Sequence, residues 1–246
     1  MRGSRIVKLV DNPDDHASTW AAITGRGTFD QESIRASYTI EVLLDVHLKG
    51  CEHWAESFGR ELPETVRNAV VRAAGLHDIG KADPRFQAWL RGGNPVKPRE
   101  LIAKSRRSGQ NRAAIERARQ LAGYPKGGRH ELLSIALIVG HREDLADADF
   151  DLLLHLVASH HGRCRPFAPV VEDADPVQVT HNGWGVWSDH RLESAGSGVR
   201  DRFWMLTRRY GWYGLAYLEA LVRLADHRQS EAEENQEEER GGTAHA

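Results

Sequence analysis

The stretch LHDIGK, residues 76–81, places an imidazole next to a carboxylate at the point where an apolar helix is predicted to end. Between residues 66 and 76, apolar side chains recur at the three- and four-residue spacing of an amphipathic helix. Gly80 is the expected stop of that helix. Imidazole nitrogen and carboxylate oxygen both bind first-row metal ions. His77 and Asp78 are therefore candidate metal ligands, although an adjacent His-Asp pair alone is a weak indication.

Helical periodicity continues on both sides of this stretch. The further segments with a helical pattern are residues 33–58, 82–90, 130–139, 150–160 and 202–228. Gly211 and Gly214 predict a kink or a break in the last of them. Residues 163–200 are rich in Gly, Pro, Trp and Asp without a clear period, which predicts a long surface excursion. The predicted fold class is all-α, a helical bundle with long irregular surface insertions.

Several histidines lie within or at the ends of these helices. His47 lies on an apolar stripe, where a histidine is more often a buried core residue than a ligand. Asp226, near the end of the last helix, would by itself be an ordinary surface residue. The sequence SHHG at residues 159–162 is a second adjacent pair of ligand-capable side chains at a helix end, which is much less common by chance. The full set of candidate metal ligands is His47, His77, Asp78, His130, His160, His161 and Asp226.

This set offers five imidazoles and two carboxylates, enough for one metal ion or for two ions with open coordination positions. A pair of metal ions lowers the pKa of a bound water and stabilises the attacking and leaving oxygens of a phosphodiester. No serine or cysteine beside a suitable base indicates a covalent nucleophile. The chain also lacks a GK[ST] phosphate-binding motif, so an ATP-driven step requires another polypeptide.

Composition and the N-terminal pattern favour a cytoplasmic protein without a membrane partner. No run approaches the roughly 18 apolar residues that span a bilayer. The N-terminus lacks the basic-then-apolar pattern of a secretory signal. The two cysteines, Cys51 and Cys164, have no metal-binding spacing and are expected to be reduced thiols.

We expect three regions along the chain. Residues 1–32 form an N-terminal segment, and residues 1–4, MRGS, are typical of an expression-tag remnant. Residues 33–230 form the helical domain. Residues 231–246 are rich in glutamate and lack the apolar residues of a core, so they are predicted to be a disordered acidic tail.

The formal net charge of −2 hides a strongly basic stretch at residues 97–129. Such a stretch is usually a solvated surface, but clustered Lys and Arg also supply the sequence-independent part of nucleic-acid affinity. Both interpretations stay open, since only Tyr124 in this stretch could stack on a base. The residues predicted to contact nucleic acid are Arg99, Lys104, Arg106, Arg107 and Arg112.

The order H, HD, H, HH, D on helices is similar to that of the HD superfamily of metal-dependent phosphohydrolases. Within it, the chain resembles the HD nuclease of type I CRISPR interference, the Cas3 family. The matching stretches, from about residue 43 to residue 230, are LLDVHLKG, LHDIGKADPRFQ, RHELLS, ASHHGRCRPF and LVRLADHRQS. The HDxGK stretch with its PxFQ-like continuation, together with SHHG, is the specific part of the match. The first forty residues and the tail carry none of it.

The resemblance implies an HD-domain helical bundle that cleaves single-stranded DNA with divalent metal. By match to the family pattern, one ion would be held by His47, His77, Asp78 and Asp226. Asp78 would bridge to a second ion, whose remaining ligands would be His130, His160 and His161. Sites rich in imidazole with some carboxylate suit Mn, Ni, Co, Fe or Zn better than Mg, so two divalent transition-metal ions are the expected cofactors.

The same resemblance assigns the catalytic residues as His77, Asp78 and Lys81. Lys81 would lie near the scissile phosphate and stabilise the negative charge that develops there. In the family, this module is joined to a helicase, or works beside one, that is recruited by a crRNA-guided surveillance complex. The expected partners are therefore single-stranded DNA, a CRISPR helicase subunit or domain, and that complex.

Two alternatives stay open. An HD phosphohydrolase that acts on nucleotides or cyclic nucleotides would need an enclosed pocket, whereas a nuclease needs an open basic groove. The basic stretch at residues 97–129 modestly favours the nuclease. An inactive metal-binding adaptor would instead dock a helicase, for example through Trp184–Trp187.

Overall fold

The structure of the protein is a computed structural model in two compact units, residues 1–35 and residues 36–246. It describes residues 5–10, 19–23, 40–94, 100–105 and 112–243. Burial and side-chain contacts are given from residue 40 onward, except for residues 112, 195 and 238–243 within those ranges.

The described part of the first unit is one antiparallel strand pair. Strand β1 (Arg5–Val10) pairs with strand β2 (Thr19–Ile23), and Arg5 lies opposite Ile23. The sequence pattern leaves this segment unassigned, because it is mixed and contains glycine.

Helices dominate the described part of the second unit. They are α1 (Leu44–Gly59), α2 (Glu64–Leu76), α3 (Pro84–Leu90), α4 (Arg112–Leu121), α5 (His130–Val139), α6 (Phe150–Ser159) and α7 (Val199–Thr243). Two small antiparallel pairs accompany them: β3 (Val42–Leu43) with β4 (Ile102–Lys104), and β5 (Gln178–His181) with β6 (Trp184–Trp187). The predicted all-α fold class is confirmed.

The core lies where α1, α2, α6 and α7 pack together. On α1 the buried positions Leu44, Leu48, Cys51 and Ala55 recur at helical spacing and form one apolar face. The buried face of α2 consists mainly of alanine and valine, and these small side chains allow the neighbouring helices to approach closely. Each leucine buried in this way contributes roughly 1.5–3 kcal/mol to stability. This packing brings the ends of several helices to one place.

The predicted helix over residues 33–58 is wrong at residues 40–43, which precede α1. Residues 33–39 lie outside the described residues, and α1 begins only at Leu44. Val42–Leu43 instead pairs with β4, and the Leu44 amide donates a hydrogen bond of 2.9 Å to the Leu101 carbonyl. Helical spacing of the apolar residues could not reveal this strand, because its partner is distant in the sequence.

The last helix differs from the prediction at its end. Gly211 has φ 70° and ψ 167°, which confirms the expected kink inside α7. Disorder was predicted for residues 231–246, whereas α7 continues through Thr243 in the structure. Glu233 is buried there, and its carboxylate bonds to side chains of the bundle. Residues 244–246 lie outside the described part of the chain.

The stretch at residues 76–81 turns the chain sharply between helices. Helix α2 ends at Leu76, earlier than the predicted stop at Gly80, and a short 3₁₀ helix follows at Ile79–Ala82. Between them, Asp78 adopts φ −108° and ψ 4°. The next helix starts at Pro84, two residues later than the predicted start at residue 82, with Asp83 as its N-cap. The turn directs the side chain at position 78 inward.

Gly80 is the point where this turn touches α5. Its amide donates a hydrogen bond of 2.8 Å to Ser134 Oγ. A Cβ atom at position 80 would lie 2.0 Å from the His130 carbonyl oxygen and 2.7 Å from the Ser134 nitrogen. Glycine is therefore required by close backbone approach, and this contact fixes α5 against the turn.

No described helix is both long enough and apolar enough to cross a membrane.

The Gly80 contact generates a stability prediction. Gly80→Ala should lower the free energy of unfolding by about 1–3 kcal/mol or more, because backbone atoms cannot move aside as a flexible side chain would. The matched control is Gly140→Ala, since a Cβ at that helix end meets nothing within 4 Å. The control should change stability by less than about 1 kcal/mol. Urea unfolding of the two variants with equal midpoints would contradict this account.

Candidate metal centre

The first group of ligand-capable side chains comes from α1, the end of α2 and α7. Its members are His47, Cys51, His77 and Asp226, and their donor atoms all lie within 4.8 Å of one another. His47 Nε2 is 3.2 Å from Asp226 Oδ1 and 3.6 Å from Cys51 Sγ. His47 and His77 are almost fully buried, whereas the Asp226 side chain keeps 24% of its surface exposed. The group is thus open to solvent on the Asp226 side.

The second group comes from the turn, the start of α5 and the end of α6. Asp78, His130, His160 and His161 bring their donor atoms within the same 4.8 Å limit. His130 Nε2 is 2.9 Å from Asp78 Oδ1 and 3.1 Å from His161 Nε2. Asp78, His130 and His160 are buried, and His161 is partly exposed.

The carboxylate of Asp78 lies between the two groups. Its Oδ2 is 3.5 Å from His77 Nε2 and 4.0 Å from His47 Nε2. Its Oδ1 is 2.9 Å from His130 Nε2 and 3.8 Å from His160 Nε2. One oxygen faces each group, so this side chain occupies the position of a bridge.

Two imidazoles are oriented as metal ligands require. His77 Nδ1 donates a 2.8 Å hydrogen bond to the Ala74 carbonyl, and His160 Nδ1 donates one of 2.7 Å to the Val157 carbonyl. These bonds leave a lone pair on each Nε2. Neither Nε2 has a hydrogen-bond partner among the described residues, although both are buried. Buried polar atoms are rarely left without a partner, so the two nitrogens fit a metal ion.

His47 is oriented by a carboxylate that the sequence prediction missed. Its Nδ1 donates to Glu233 Oε1 at 2.9 Å, and Glu233 Oε2 accepts from Lys104 Nζ at 2.9 Å. A carboxylate behind a histidine fixes its tautomer and raises its strength as a ligand. Glu233 lies two helical turns after Asp226 on α7, and this spacing is the signal that could have found it.

Nearby charges keep the Asp78 carboxylate ionised. Burial alone would raise its pKa, but the positive charge of Lys81 and the neighbouring His77 and His130 outweigh burial and hold the pKa well below its usual range. An ionised carboxylate is the form that binds a metal ion.

His160 and His161, two imidazoles of the second group, favour the neutral form. Burial lowers the pKa of His160 well below its usual value, and positive charge on His161 and His77 would lower it further. Burial and the neighbouring His130 likewise lower the pKa of His161. Neutral imidazole is the form that coordinates a metal ion.

His47 and Asp226 form a charged pair within the first group. Burial favours neutral His47, but its hydrogen bonds to Asp226, Cys51 and Glu233 outweigh burial and raise its pKa. Burial would raise the pKa of the Asp226 carboxyl, but the hydrogen bond to His47 and the nearby His77 outweigh burial and lower it. A metal cation could therefore replace the proton that His47 and Asp226 share.

The side chain of Lys81 is buried next to the candidate ligands. Its Nζ is 2.6 Å from Asp78 Oδ2 and donates to the Ala103 carbonyl at 3.4 Å, and the residue is only 6% exposed. The structure therefore places its ammonium group within the centre, next to the bridging carboxylate.

Of the five residues predicted to bind nucleic acid, the structure describes the side chain of Lys104 alone. Lys104 is buried and paired with Glu233, which argues against its predicted contact with a phosphate. Its charge is neutralised by a carboxylate that lies 129 residues away in the chain. The other predicted contacts lie outside the described side chains; they are Arg99, Arg106, Arg107 and Arg112.

Two more residues of the centre were missed. Cys51 joins the first group because it lies four residues after His47, one turn along the same helix face. Ser134 Oγ accepts from the Gly80 amide and lies 2.8 Å from the His77 carbonyl oxygen, so it ties the turn to α5. The spacing of four was a usable signal for Cys51, whereas no local pattern marks Ser134.

A helical bundle with two histidine-rich groups around one shared aspartate defines an HD-domain metal-dependent hydrolase. The family model described as "Cas3, HD domain" matches residues 35–232 of the chain. The chain therefore belongs to the Cas3 HD-domain family, which are metal-dependent HD nucleases of CRISPR systems. Searches among curated proteins and among solved structures gave no match.

The buried contact between Glu233 and His47 generates a prediction about metal affinity. Glu233→Gln should weaken Mn²⁺ binding by about 10–100-fold, because a neutral amide supports the His47 imidazole less strongly than a carboxylate does. Glu234→Gln is the matched control, since Glu234 is the next residue on α7 and is exposed. Isothermal titration calorimetry measures both, and equal affinities in the two variants would refute the role of Glu233.

Proposed function

We propose that the chain is a two-metal nuclease that cleaves single-stranded DNA in type I CRISPR interference. The observation that carries this proposal is the position of Asp78, with one carboxylate oxygen facing each group of imidazoles. Two ions that share one carboxylate lie close enough to act on the same phosphodiester.

The proposed ligands follow the two groups. The first ion is assigned to His47, His77, Asp78 and Asp226, and the second to Asp78, His130, His160 and His161. Imidazole-rich sites suit Mn, Ni, Co, Fe or Zn better than Mg. When bound, such ions activate a water molecule and neutralise charge on the attacking and leaving oxygens.

The other side chains of the centre prepare it for this chemistry. His77 and His160 present Nε2 lone pairs, because backbone carbonyls accept hydrogen bonds from their Nδ1–H groups and so fix the tautomer. The Nζ atom of Lys81 lies 2.6 Å from Asp78 Oδ2 in a poorly solvated site. We propose that Lys81 stabilises the negative charge that develops on the scissile phosphate. The low local dielectric strengthens this electrostatic attraction. His77, Asp78 and Lys81 are thus the proposed catalytic residues.

The substrate and the partners belong to the same proposal. Partial exposure of Asp226 and His161 leaves an open side for a strand to approach. The undescribed basic side chains between residues 97 and 112 are proposed to contact its phosphates. Because the chain has no GK[ST] motif, a helicase subunit or domain recruited by a crRNA-guided complex would deliver the strand, in the cytoplasm.

Metal dependence tests the proposed function directly. Metal-stripped protein is incubated with circular single-stranded DNA, and Mn, Ni, Co, Fe, Zn and Mg are added back separately. Cleavage of the circle with transition metals, and weak or no cleavage with Mg, is expected because the donors are mostly imidazole. Full activity with Mg alone would contradict the metal assignment. Turnover of nucleotides without cleavage of the circle would favour the nucleotide phosphohydrolase, and bound metal without any turnover would favour the adaptor.

Replacement of Asp78, the proposed bridging ligand, tests the two-metal assignment most directly. Asp78→Ala should reduce the rate of cleavage strongly, since both ions lose a ligand. The loss should exceed the roughly 10–100-fold that follows removal of a residue that only hydrogen-bonds to a metal ligand. Asp201→Ala removes an exposed carboxylate at the start of α7 and should leave cleavage unchanged. Initial rates on the circular substrate compare the two. Near-normal turnover by Asp78→Ala would refute the two-metal assignment.

A further inference from the structure

A buried thiol lies against the first group of candidate ligands. Cys51 is fully buried, and its Sγ lies 3.6 Å from His47 Nε2. The sulfur also lies within 4.8 Å of the donor atoms of His77 and Asp226. The proposed function uses the three neighbours of this thiol but leaves the thiol itself without a role.

A second feature at the same place points to a ligand. His77 is 1% exposed, and its Nε2 has no hydrogen-bond partner among the residues that the structure describes. The bond from Nδ1 to the Ala74 carbonyl fixes that nitrogen as a lone-pair donor directed into the group that contains Cys51. An unpartnered buried nitrogen beside a thiol is the arrangement of a cation site and not of ordinary core packing.

The distances within the group suit a sulfur ligand. Around one five-coordinate ion, a metal–sulfur bond of about 2.3 Å and a metal–nitrogen bond of about 2.0–2.1 Å place neighbouring donor atoms roughly 3.1–3.8 Å apart. Cys51 Sγ and His47 Nε2 are 3.6 Å apart. The separation of 3.2 Å between His47 Nε2 and Asp226 Oδ1 is also of the size that two ligands of one ion require.

We infer that Cys51 is an additional ligand of the first metal ion and gives that position a preference for thiophilic metals. Thiolate donors select Zn²⁺, Co²⁺ and Fe²⁺ over Mn²⁺ and Mg²⁺, whereas the second group offers only nitrogen and oxygen. The two positions of the centre therefore differ in metal preference. This inference rests on the metal centre proposed above.

Binding requires the thiol to lose its proton. Burial raises the pKa of Cys51, so the metal-free protein holds a neutral thiol next to His47. When a divalent ion enters, the S–H bond of Cys51 and the Nε2–H bond of His47 break, the sulfur and the nitrogen each bind the ion, and both protons leave to solvent. No electron is transferred in this step.

Cobalt spectroscopy tests the inference without any measurement of activity. Metal-stripped wild-type protein is titrated with Co²⁺ and its absorption spectrum is recorded. A sulfur-to-cobalt charge-transfer band in the near ultraviolet is expected, together with the weaker visible bands that report any bound cobalt. Cys51→Ser should lose the charge-transfer band and keep the visible bands, because the remaining ligands are intact.

The chain supplies its own control, since Cys164 is also a buried free thiol but belongs to neither group. Cys164→Ser should keep the charge-transfer band. The inference is overturned if wild-type protein shows visible cobalt bands without the charge-transfer band, or if Cys51→Ser retains it. Absence of every cobalt band from wild-type protein would overturn the metal centre itself, and this inference with it.

Affinity gives a second readout. Cys51→Ser should weaken Zn²⁺ binding by about tenfold or more and should change Mn²⁺ binding much less, because manganese gains little from sulfur. Competition with a chromophoric chelator measures both constants. Equal losses for Zn²⁺ and Mn²⁺ would contradict a sulfur ligand.

Discussion

The buried carboxylate of Asp78 is the constraint on which the rest of the centre depends. A carboxylate that is 3% exposed is costly to ionise unless positive or polar groups surround it. The protein supplies those groups from several directions: the Lys81 ammonium at 2.6 Å, His130 at 2.9 Å and His77 at 3.5 Å. Their convergence requires the turn, α2 and α5 to meet at one point. The helical bundle is the scaffold that makes them meet.

Close backbone contacts make this convergence rigid. Gly80 lies so near α5 that no side chain can be placed there, and Ser134 bonds to the turn on both sides. On the opposite side, Glu233 holds His47 and is held in turn by Lys104. A ligand set with fixed donor directions binds a metal ion without first losing conformational freedom. The outer contacts therefore matter to function although they touch no substrate.

The sequence predicted much of this centre because its main ligands stand at the ends of strongly periodic helices. Helices at residues 130–139 and 150–160 match α5 and α6 closely, since a long apolar pattern leaves little ambiguity. The adjacency of His160 and His161 at a helix end was enough to predict them as candidate ligands. The two groups now seen in space contain all seven predicted ligands. Whether these residues bind metal stays a prediction.

What could not be predicted depends on partners that are remote in sequence. Glu233 lies in a glutamate-rich, apolar-poor segment whose composition indicates disorder, yet it is buried because His47 and Lys104 need a shared carboxylate. Lys104 likewise resembled a surface cation until its partner was known. Strand β3 replaced the start of a predicted helix for the same reason. Composition and periodicity describe local preference, and tertiary contacts can override it.

Electron paramagnetic resonance of the manganese-loaded protein tests the central claim most directly. If Asp78 bridges two ions, protein loaded with two equivalents of Mn²⁺ should give the spectrum of a magnetically coupled pair, because a shared carboxylate holds the ions close together. Two bound ions with the spectrum of isolated Mn²⁺ would contradict the bridge and with it the proposed two-metal nuclease.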